Sequence, residues 1–181
     1  MTDDPHRRTG GYLLVMGVYG GVVGSLTALA RLLGRRPPER ISPGDVVLLS
    51  VATHKLSRLL AKDAVTTLLR APFTRFEGAA GEAEINESPR TDGQVRHAVG
   101  ELVTCPFCLA VWVATGLTAG LVFAPRLTRL VAVGATAIAG ADCLHLAYDA
   151  AKRAGRPDGS VQRTQRPGQP VAPARHSASR T

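Results

Sequence analysis

Long apolar stretches alternate with polar and charged segments along the chain. Residues 12–30 and 105–124 carry no charged side chain, and residues 130–147 are interrupted only by Asp142 and His145. At a rise of about 1.5 Å per residue, each run is long enough for a helix that crosses a hydrocarbon core of about 30 Å. We predict a transmembrane helix in each run. The last two are separated by a short turn at 125–129 and should form an antiparallel hairpin.

A fourth helix has clear start signals but a more polar composition. Ser42 can act as its N-cap, Pro43 suits the first helical position, and Asp45 can reach back to the cap. No breaker follows until the residue before Pro72, which predicts a helix over about 43–70. Basic side chains crowd its middle: His54, Lys55, Arg58 and Lys62. It either spans the membrane tilted, with these side chains reaching towards one surface, or enters the membrane only partway.

The end of this segment has an amphipathic pattern. After Lys62, five apolar residues fall at helical spacing on one side: Val65, Leu68, Leu69, Phe73 and Phe76. This pattern predicts a helix lying in the membrane interface, although a soluble helix packed on the rest of the protein would have the same pattern. Residues 77–100 are acidic and rich in small and turn-forming residues, which predicts a mobile loop. Residues 151–181 read as a disordered basic tail.

These elements define the predicted class and its divisions. We expect an all-α integral membrane bundle of four transmembrane helices plus one interfacial helix. The divisions are an amino-terminal extension with the first span (1–41), a membrane domain (42–150, with helices near 43–70, 104–124 and 130–150) and the tail (151–181). The formal net charge is +8, but only 4% of residues are aromatic, which argues against nucleic acid and for a membrane surface as the partner of the charge.

Glycines mark one face of the first span. Two overlapping Gly-x-x-x-Gly spacings involve Gly17, Gly20, Gly21 and Gly24. Such spacings allow another helix to approach closely, so this face is a candidate contact with a second copy or another membrane protein. Frequent glycine in membrane helices is the alternative explanation. A cleaved signal peptide ending near residues 28–30 is a further alternative, although the apolar run is long for one.

The motif with the clearest chemistry is Cys105-Pro106-Phe107-Cys108 at the start of the third apolar run. The same string occurs in the active site of glutaredoxin-like proteins, where the first thiol lies at a helix N-terminus. Thr104 could cap such a helix here, but no alternation of strands and helices surrounds the motif. Two thiols also supply only half of a structural zinc site. The simplest interpretation is that the two cysteines are small residues that let helices pack closely at the membrane edge. No cofactor is predicted, and zinc is the alternative if a metal is bound.

Polar residues in the last span supply further site candidates. Counting outwards from a turn near Leu127 places Cys105 level with Asp149 and Cys108 next to His145, which predicts a thiol or metal cluster of these four residues. Ionisable groups inside a span usually find partners, so we also expect an ion pair between Arg58 and Asp142. A proton or ion pathway along the same residues is the alternative. Three cysteines make an odd number, which argues against a disulfide framework.

Two segments resemble a known family. These are ATHKLSRLLAKDAVTTLLRAPFTRFEG (residues 52–78) and GELVTCPFCLAVW (residues 100–112), and the resemblance extends from about residue 45 to residue 148. They are similar to domain-of-unknown-function family 1360, which comprises small bacterial membrane proteins. The resemblance implies that the segment from residue 45 to residue 60 is a true span. It implies no mechanism, because the activity of that family is not established.

Charge distribution predicts the orientation. With both termini in the cytoplasm, most basic loop residues and the tail lie inside, as the positive-inside rule asks, while the arginines of residues 31–40 lie outside. A three-span arrangement with an external amino terminus avoids that conflict, but the resemblance favours four spans. We therefore expect a multi-pass cell-membrane protein with a cytoplasmic tail.

No hydrolase or transferase motif is present, so the expected role is a packing or interaction module. The alternative is a membrane-embedded redox protein that uses the Cys-Pro-Phe-Cys motif through thiol or metal chemistry.

Overall fold

Helices dominate the computed structural model, which describes residues 5–81 and 84–155. Within these residues the chain forms six α-helices, one short 3₁₀ turn and one two-stranded sheet. The helices are α1 Pro5–Leu32, α2 Pro43–Lys62, α3 Thr67–Arg70, α4 Gln94–Thr104, α5 Pro106–Phe123 and α6 Pro125–Ala154; the 3₁₀ turn is Ala64–Thr66, and the strands are β1 Thr74–Gly81 and β2 Glu84–Pro89. The chain is mostly helical, as predicted, but the two-stranded sheet departs from the predicted all-α class.

Three of these helices are long and apolar enough to cross a membrane. They are α1 over Gly10–Leu32, α5 and α6. They coincide with the three apolar runs of the sequence. α2 has 20 residues, a comparable length, but its four charged side chains set it apart by composition. Its start signals are confirmed, since the Ser42 hydroxyl accepts a hydrogen bond from the Asp45 N–H at 3.0 Å.

The core of the bundle lies where α2 packs against α5 and α6. Its buried residues are small or aliphatic: Ala52, Leu117, Ala132 and Ala135, flanked by Leu48, Leu49, Leu56 and Val113. Ala52 and Ala132 are fully buried, and small side chains at such positions let helix backbones approach closely. The Thr136 hydroxyl donates a hydrogen bond to the Leu48 carbonyl oxygen at 3.3 Å, which ties α6 to α2. α2 is therefore an integral part of the packing.

α5 and α6 form the predicted antiparallel hairpin, but its turn lies earlier than expected. Only Ala124 separates the two helices, because Pro125 takes the first position of α6, where its missing N–H costs nothing. A side chain at Gly120 would collide with Thr128, and these residues lie four positions on either side of Ala124. Counting from Ala124 places Cys105 level with Cys143, six residues before the predicted Asp149.

α1 runs alongside α4 and the beginning of α5. The Tyr12 hydroxyl donates a hydrogen bond to the Glu101 carboxylate, and the Tyr19 ring meets the Trp112 ring edge-on with centroids 5.2 Å apart. A Cβ atom at Gly11 would lie 2.9 Å from that of Ala98, so close contact with α4 requires glycine there. Tyr12 comes before Tyr19 in α1, and their partners come in the same order, Glu101 in α4 and then Trp112 in α5. α1 and α5 therefore run in the same direction.

The predicted single helix over 43–70 is broken at Asp63. The Asp63 carboxylate accepts a hydrogen bond from the Val65 N–H at 2.9 Å, and the Thr66 hydroxyl donates one to the Leu59 carbonyl oxygen at 2.6 Å. Short polar side chains of this kind compete with helical hydrogen bonding. The chain therefore leaves α2 after Lys62 and makes only the 3₁₀ turn and the single turn of α3. The predicted interfacial helix is reduced to these short turns followed by β1.

The region predicted as a mobile loop, 77–100, is largely folded. β1 and β2 pair antiparallel, and α4 begins soon after β2. α4 closes on the hairpin at Gly100, where a Cβ atom would lie 2.7 Å from the Phe73 carbonyl oxygen. An isolated two-stranded hairpin is marginally stable, so this packing is what allows a glycine-rich, acidic segment to hold a sheet.

The described chain divides into two units after His145. The first contains every element above up to the last part of α6. The second, residues 146–155, continues the helix, and Arg153 Nε donates a hydrogen bond to the Asp149 carbonyl oxygen at 3.2 Å. Most of the predicted disordered tail lies outside the described residues.

Candidate functional site: a dithiol at the mouth of α5

The two cysteines of the Cys-Pro-Phe-Cys motif lie together where α4 ends and α5 begins. Cys105 is the N-cap of α5, and its sulfur accepts a hydrogen bond from the Cys108 N–H at 3.3 Å. The Cys108 thiol donates a second hydrogen bond to the Cys105 sulfur, at 2.7 Å. Both thiols are free; Cys105 is half-buried and Cys108 is exposed. Thr104, predicted as the cap, instead belongs to α4 and donates to the Gly100 carbonyl oxygen.

Electrostatics at this helix start favour the ionised form of Cys105. Partial burial by itself disfavours the thiolate, but hydrogen bonds from the Cys108 thiol and from the Cys108 and Phe107 N–H groups outweigh it. The positive charge of Lys62, at the end of α2, acts in the same direction. Together they hold the pKa of Cys105 below its ordinary value. Thiolate is the nucleophilic form of cysteine, so Cys105 is the more activated member of the pair.

A polar network on α4 lies immediately before the dithiol. Glu101 accepts the hydrogen bond from Tyr12 and lies 3.4 Å from His97 Nε2. The other ring nitrogen of His97 lies 3.2 Å from the Arg90 carbonyl oxygen. These residues were missed as site candidates because 77–100 was predicted to be a loop, so no helix was expected to lead into α5. Their spacing at i and i+4, His97 to Glu101, was the available signal.

The other predicted cluster residues are placed on α6. His145 is exposed, and Asp149 belongs to the second unit, residues 146–155. Among the described residues, no three His, Cys, Asp or Glu side chains come together in a group that could hold a metal ion. The structure therefore brings together Cys105 and Cys108 but does not add His145 to them as a third ligand.

The predicted ion pair between Arg58 and Asp142 is replaced by two others. Lys55, one turn earlier on α2, reaches Asp142 with its ammonium nitrogen 2.5 Å from the carboxylate. Arg58 instead forms a two-pronged contact with Glu84 of β2, at 2.8 and 3.0 Å. The expectation failed because it treated residues 77–100 as a loop and so gave Arg58 no other acidic partner. The link between α2 and α6 is present, with Lys55 in place of Arg58.

Arg70 holds the hairpin to the end of α2. It is the largest fully buried side chain among the described residues, 1% exposed. Its guanidinium donates to the Glu87 carboxylate at 2.7 Å, to the Leu60 carbonyl oxygen at 2.6 Å and to the Asp63 carbonyl oxygen at 2.9 Å. The last carbonyl groups of a helix have no partner within the helix, so Arg70 serves as a C-terminal cap for α2 as well as an ion-pair partner.

A groove of about 570 Å³ runs between α2 and α5. One wall carries polar side chains of α2, among them Ser50, His54 and Arg58. The other wall is formed by α5 from Pro106 to Thr118 and is mainly apolar. The exposed imidazole of His54 lines the groove at the middle of α2, and the groove extends to Pro106 and Phe107, between the two cysteines.

Comparison with known proteins assigns more than half of the chain to one family. Residues 48–148 match the family described as "Protein of unknown function (DUF1360)". The chain belongs to this family. The DUF1360 region takes in nearly all of α2, the hairpin, α4, the dithiol, α5 and most of α6, whereas α1 lies outside it. The resemblance recognised in the sequence is thereby confirmed.

The chain is also similar to a curated protein. The chain is 27% identical over 109 residues to the UPF0713 protein YngL of Bacillus subtilis (strain 168). The match covers 59% of this chain and 78% of that protein. No solved structure matches the chain.

Proposed function

We propose that this DUF1360 protein is a four-span integral membrane protein of the cell membrane, and that it acts as an interaction module whose α1 binds a second copy of the chain. The argument for four spans begins with helix direction. α1 and α5 are long and apolar enough to cross. The contacts Tyr12–Glu101 and Tyr19–Trp112 follow in the same order along α1 and along the path from α4 into α5, which makes α1 and α5 parallel. Two parallel spans require a return crossing between them. Within residues 33–105, α2 is the only described helix long enough to supply it.

α2 also has the packing and charge pairing that a return span needs. Its 20 residues give a length of about 30 Å, which matches a hydrocarbon core. Its midpoint residue Ala52 is fully buried in the bundle core. Inside the span Lys55 is compensated by Asp142, whereas Arg58 lies near the surface end of α2 and contacts Glu84 of the hairpin. An intramembrane charge that finds a partner, as Lys55 does, is tolerated.

The ends of the bundle support one orientation. The start of α1, the end of α2, the hairpin and the dithiol share one end, while the α5–α6 turn lies at the other. Basic residues of the first end include Lys62, Arg75, Arg90 and Arg96. The positive-inside rule assigns this end to the cytoplasm, together with the segment that follows α6.

Exposed apolar residues next to α2 fit the membrane interface. Val65 and Leu68 are 85% and 86% exposed, and Leu69 and Phe76 are each 67% exposed. They follow directly on the end of α2, which in a four-span bundle lies at the bilayer surface. Their solvent exposure is explained if headgroups and upper acyl chains cover them. The predicted interfacial role is thus carried by short turns and a strand.

The observation that carries the interaction role is the open glycine face of α1. A Cβ atom added at Gly17, Gly20, Gly21 or Gly24 would meet no other described part of the chain within 4 Å. The contacts of α1 at Gly11 and Tyr12 lie nearer its start, and Tyr19, which contacts α5, lies on the side of the helix opposite these glycines. One face of an apolar helix therefore presents glycines at Gly-x-x-x-Gly spacing without a partner among the described residues. A second copy supplies the same face, so two α1 helices can cross closely.

The test is self-association in lipid bilayers. Two differently labelled copies of the full chain are reconstituted into liposomes, and energy transfer between them is measured as protein is diluted with lipid. The double variant Gly20→Ile, Gly24→Ile should abolish transfer at dilutions where the parent retains it. Gly134→Ile is the matched control, since Gly134 is equally open but lies on α6. Equal transfer for parent, double variant and control would contradict the proposed α1 interface.

A further inference from the structure

We propose that Cys105 and Cys108 form a thiol–disulfide exchange site at the membrane surface, with Cys105 attacking a low-molecular-weight disulfide and Cys108 completing the reaction. This activity is separate from the association of α1. It rests on the arrangement of the two sulfurs at the start of α5 and on the groups that surround them.

The geometry prepares Cys105 to attack. As the N-cap of α5 it lies where backbone N–H groups and the helix dipole stabilise a negative charge. The Cys108 N–H and the Cys108 thiol both donate to its sulfur, at 3.3 and 2.7 Å. Lys62 adds a positive charge from the end of α2.

The geometry also prepares Cys108 to resolve the intermediate. Its sulfur is exposed and already in contact with that of Cys105, so a disulfide can close without moving α5. The charged groups facing the pair come from two helices, Lys62 from α2 and Glu101 from α4. Glu101, held by Tyr12 and His97, is the carboxylate whose charge acts on Cys108.

The reaction balances with the disulfide as oxidant. The Cys105 thiolate attacks one sulfur of the small disulfide, its S–S bond breaks, and one thiolate leaves. Cys108 then loses its proton and attacks the Cys105 sulfur, which breaks the mixed disulfide and releases the second thiol. The protein loses two electrons and two protons to form a disulfide between Cys105 and Cys108, and one small disulfide becomes two thiols.

Cys143 provides an internal comparison. It is exposed, but it lies inside α6, so it caps no helix. If solvent exposure alone controlled reactivity, Cys143 would react at least as fast as the half-buried Cys105. The proposal predicts the opposite order.

The experiment uses the full chain in lipid nanodiscs. Reduced protein is incubated with excess oxidised glutathione, quenched in acid and labelled with a mass-tagged maleimide. The parent should lose two thiols and keep one, and the remaining thiol should map to Cys143. Cys108→Ser should instead accumulate glutathione attached to Cys105, several times faster than Cys105→Ser accumulates it on Cys108. In the parent, iodoacetamide should also modify Cys105 faster than Cys143 at neutral pH.

Three free thiols in the parent after this treatment would overturn the proposal, as would glutathione attached to Cys108 and Cys143 with no internal disulfide. The parent result decides the matter if a cysteine variant does not fold. Lys62→Gln supplies a finer readout, because losing its positive charge should move the pH of half-maximal alkylation of Cys105 upwards. An unchanged alkylation profile would show that Lys62 does not act on this thiol. None of these outcomes depends on self-association through α1.

Discussion

Removing the guanidinium of Arg70 should release the hairpin from α2. Arg70→Ala leaves Glu87 as a buried carboxylate, 3% exposed, without its partner. It also removes one donor from each of the Leu60 and Asp63 carbonyl oxygens and leaves them only their hydrogen bonds from Thr66. The change therefore removes a charge pair and a helix cap at once.

The expected magnitude follows from burial. Breaking a buried ion pair by deleting one partner costs about 3–5 kcal/mol, because the remaining charge is left desolvated. Since about 1.4 kcal/mol is a factor of ten in an equilibrium constant, local opening of the hairpin should rise by roughly a hundred- to several thousand-fold. The double variant Arg70→Met, Glu87→Met should recover much of this loss, because no unpaired charge remains.

Hydrogen exchange read by mass spectrometry measures this opening directly. Peptides covering β1 and β2 should lose protection in Arg70→Ala, whereas peptides from the core of α5 should keep theirs. Arg58→Ala is the matched control, since Arg58 also joins α2 to β2 but is half-exposed. An exposed pair is worth about 1 kcal/mol or less, so its effect should be small. Equal effects of Arg58→Ala and Arg70→Ala would refute the argument from burial.

Two further predictions concern the membrane helices. Lys55→Met should destabilise the bundle by about 1–3 kcal/mol in detergent unfolding, because Asp142 loses its partner, and adding Asp142→Asn should restore part of that loss; full stability of Lys55→Met alone would show that the pair contributes nothing. Gly120→Val should lower the thermal unfolding midpoint, because its side chain would collide with Thr128, whereas Gly116→Val, at an open position, should have little effect. Equal midpoints for the two valine variants would mean that the α5–α6 hairpin is looser than described.

Apolar run length predicted the long helices well. α1, α5 and α6 coincide with stretches of 18 or more uncharged or nearly uncharged residues, and the cap at Ser42 correctly marked the start of α2. These features depend only on local composition and spacing. They survive in the folded chain because nothing elsewhere in the sequence competes with them.

The polar middle of the chain could not be predicted in the same way. Asp63 and Thr66 end α2 through side-chain hydrogen bonds that an uninterrupted helical pattern conceals. The hairpin depends on Arg70, which lies off the apolar stripe of residues 65–76 and so carries no local sign of burial. Its burial follows from a long-range contact with Glu87, which is 17 positions away. Because the hairpin that carries Glu84 was not predicted, Arg58 was assigned to Asp142 instead.

The candidate site was predicted in part. Cys105 and Cys108 were recognised from their spacing, and their shared location at a helix start is what the structure shows. The addition of His145 and Asp149 relied on a turn placed three residues too late, near Leu127. In an antiparallel hairpin, moving the turn by three residues changes the residue expected opposite a given position by six. This accounts for the six-residue difference between Asp149 and Cys143 as the residue counted opposite Cys105.

The central claim is that α2 crosses the membrane between α1 and α5. It is tested by single-cysteine accessibility in a variant whose three native cysteines are replaced by serine. Arg36→Cys lies in the connector between α1 and α2, and Asp92→Cys lies between β2 and α4. A membrane-impermeant maleimide added to intact cells should label Arg36→Cys and should label Asp92→Cys only after permeabilisation. Labelling of both, or of neither, from outside would place these residues on the same side and show that α2 does not cross.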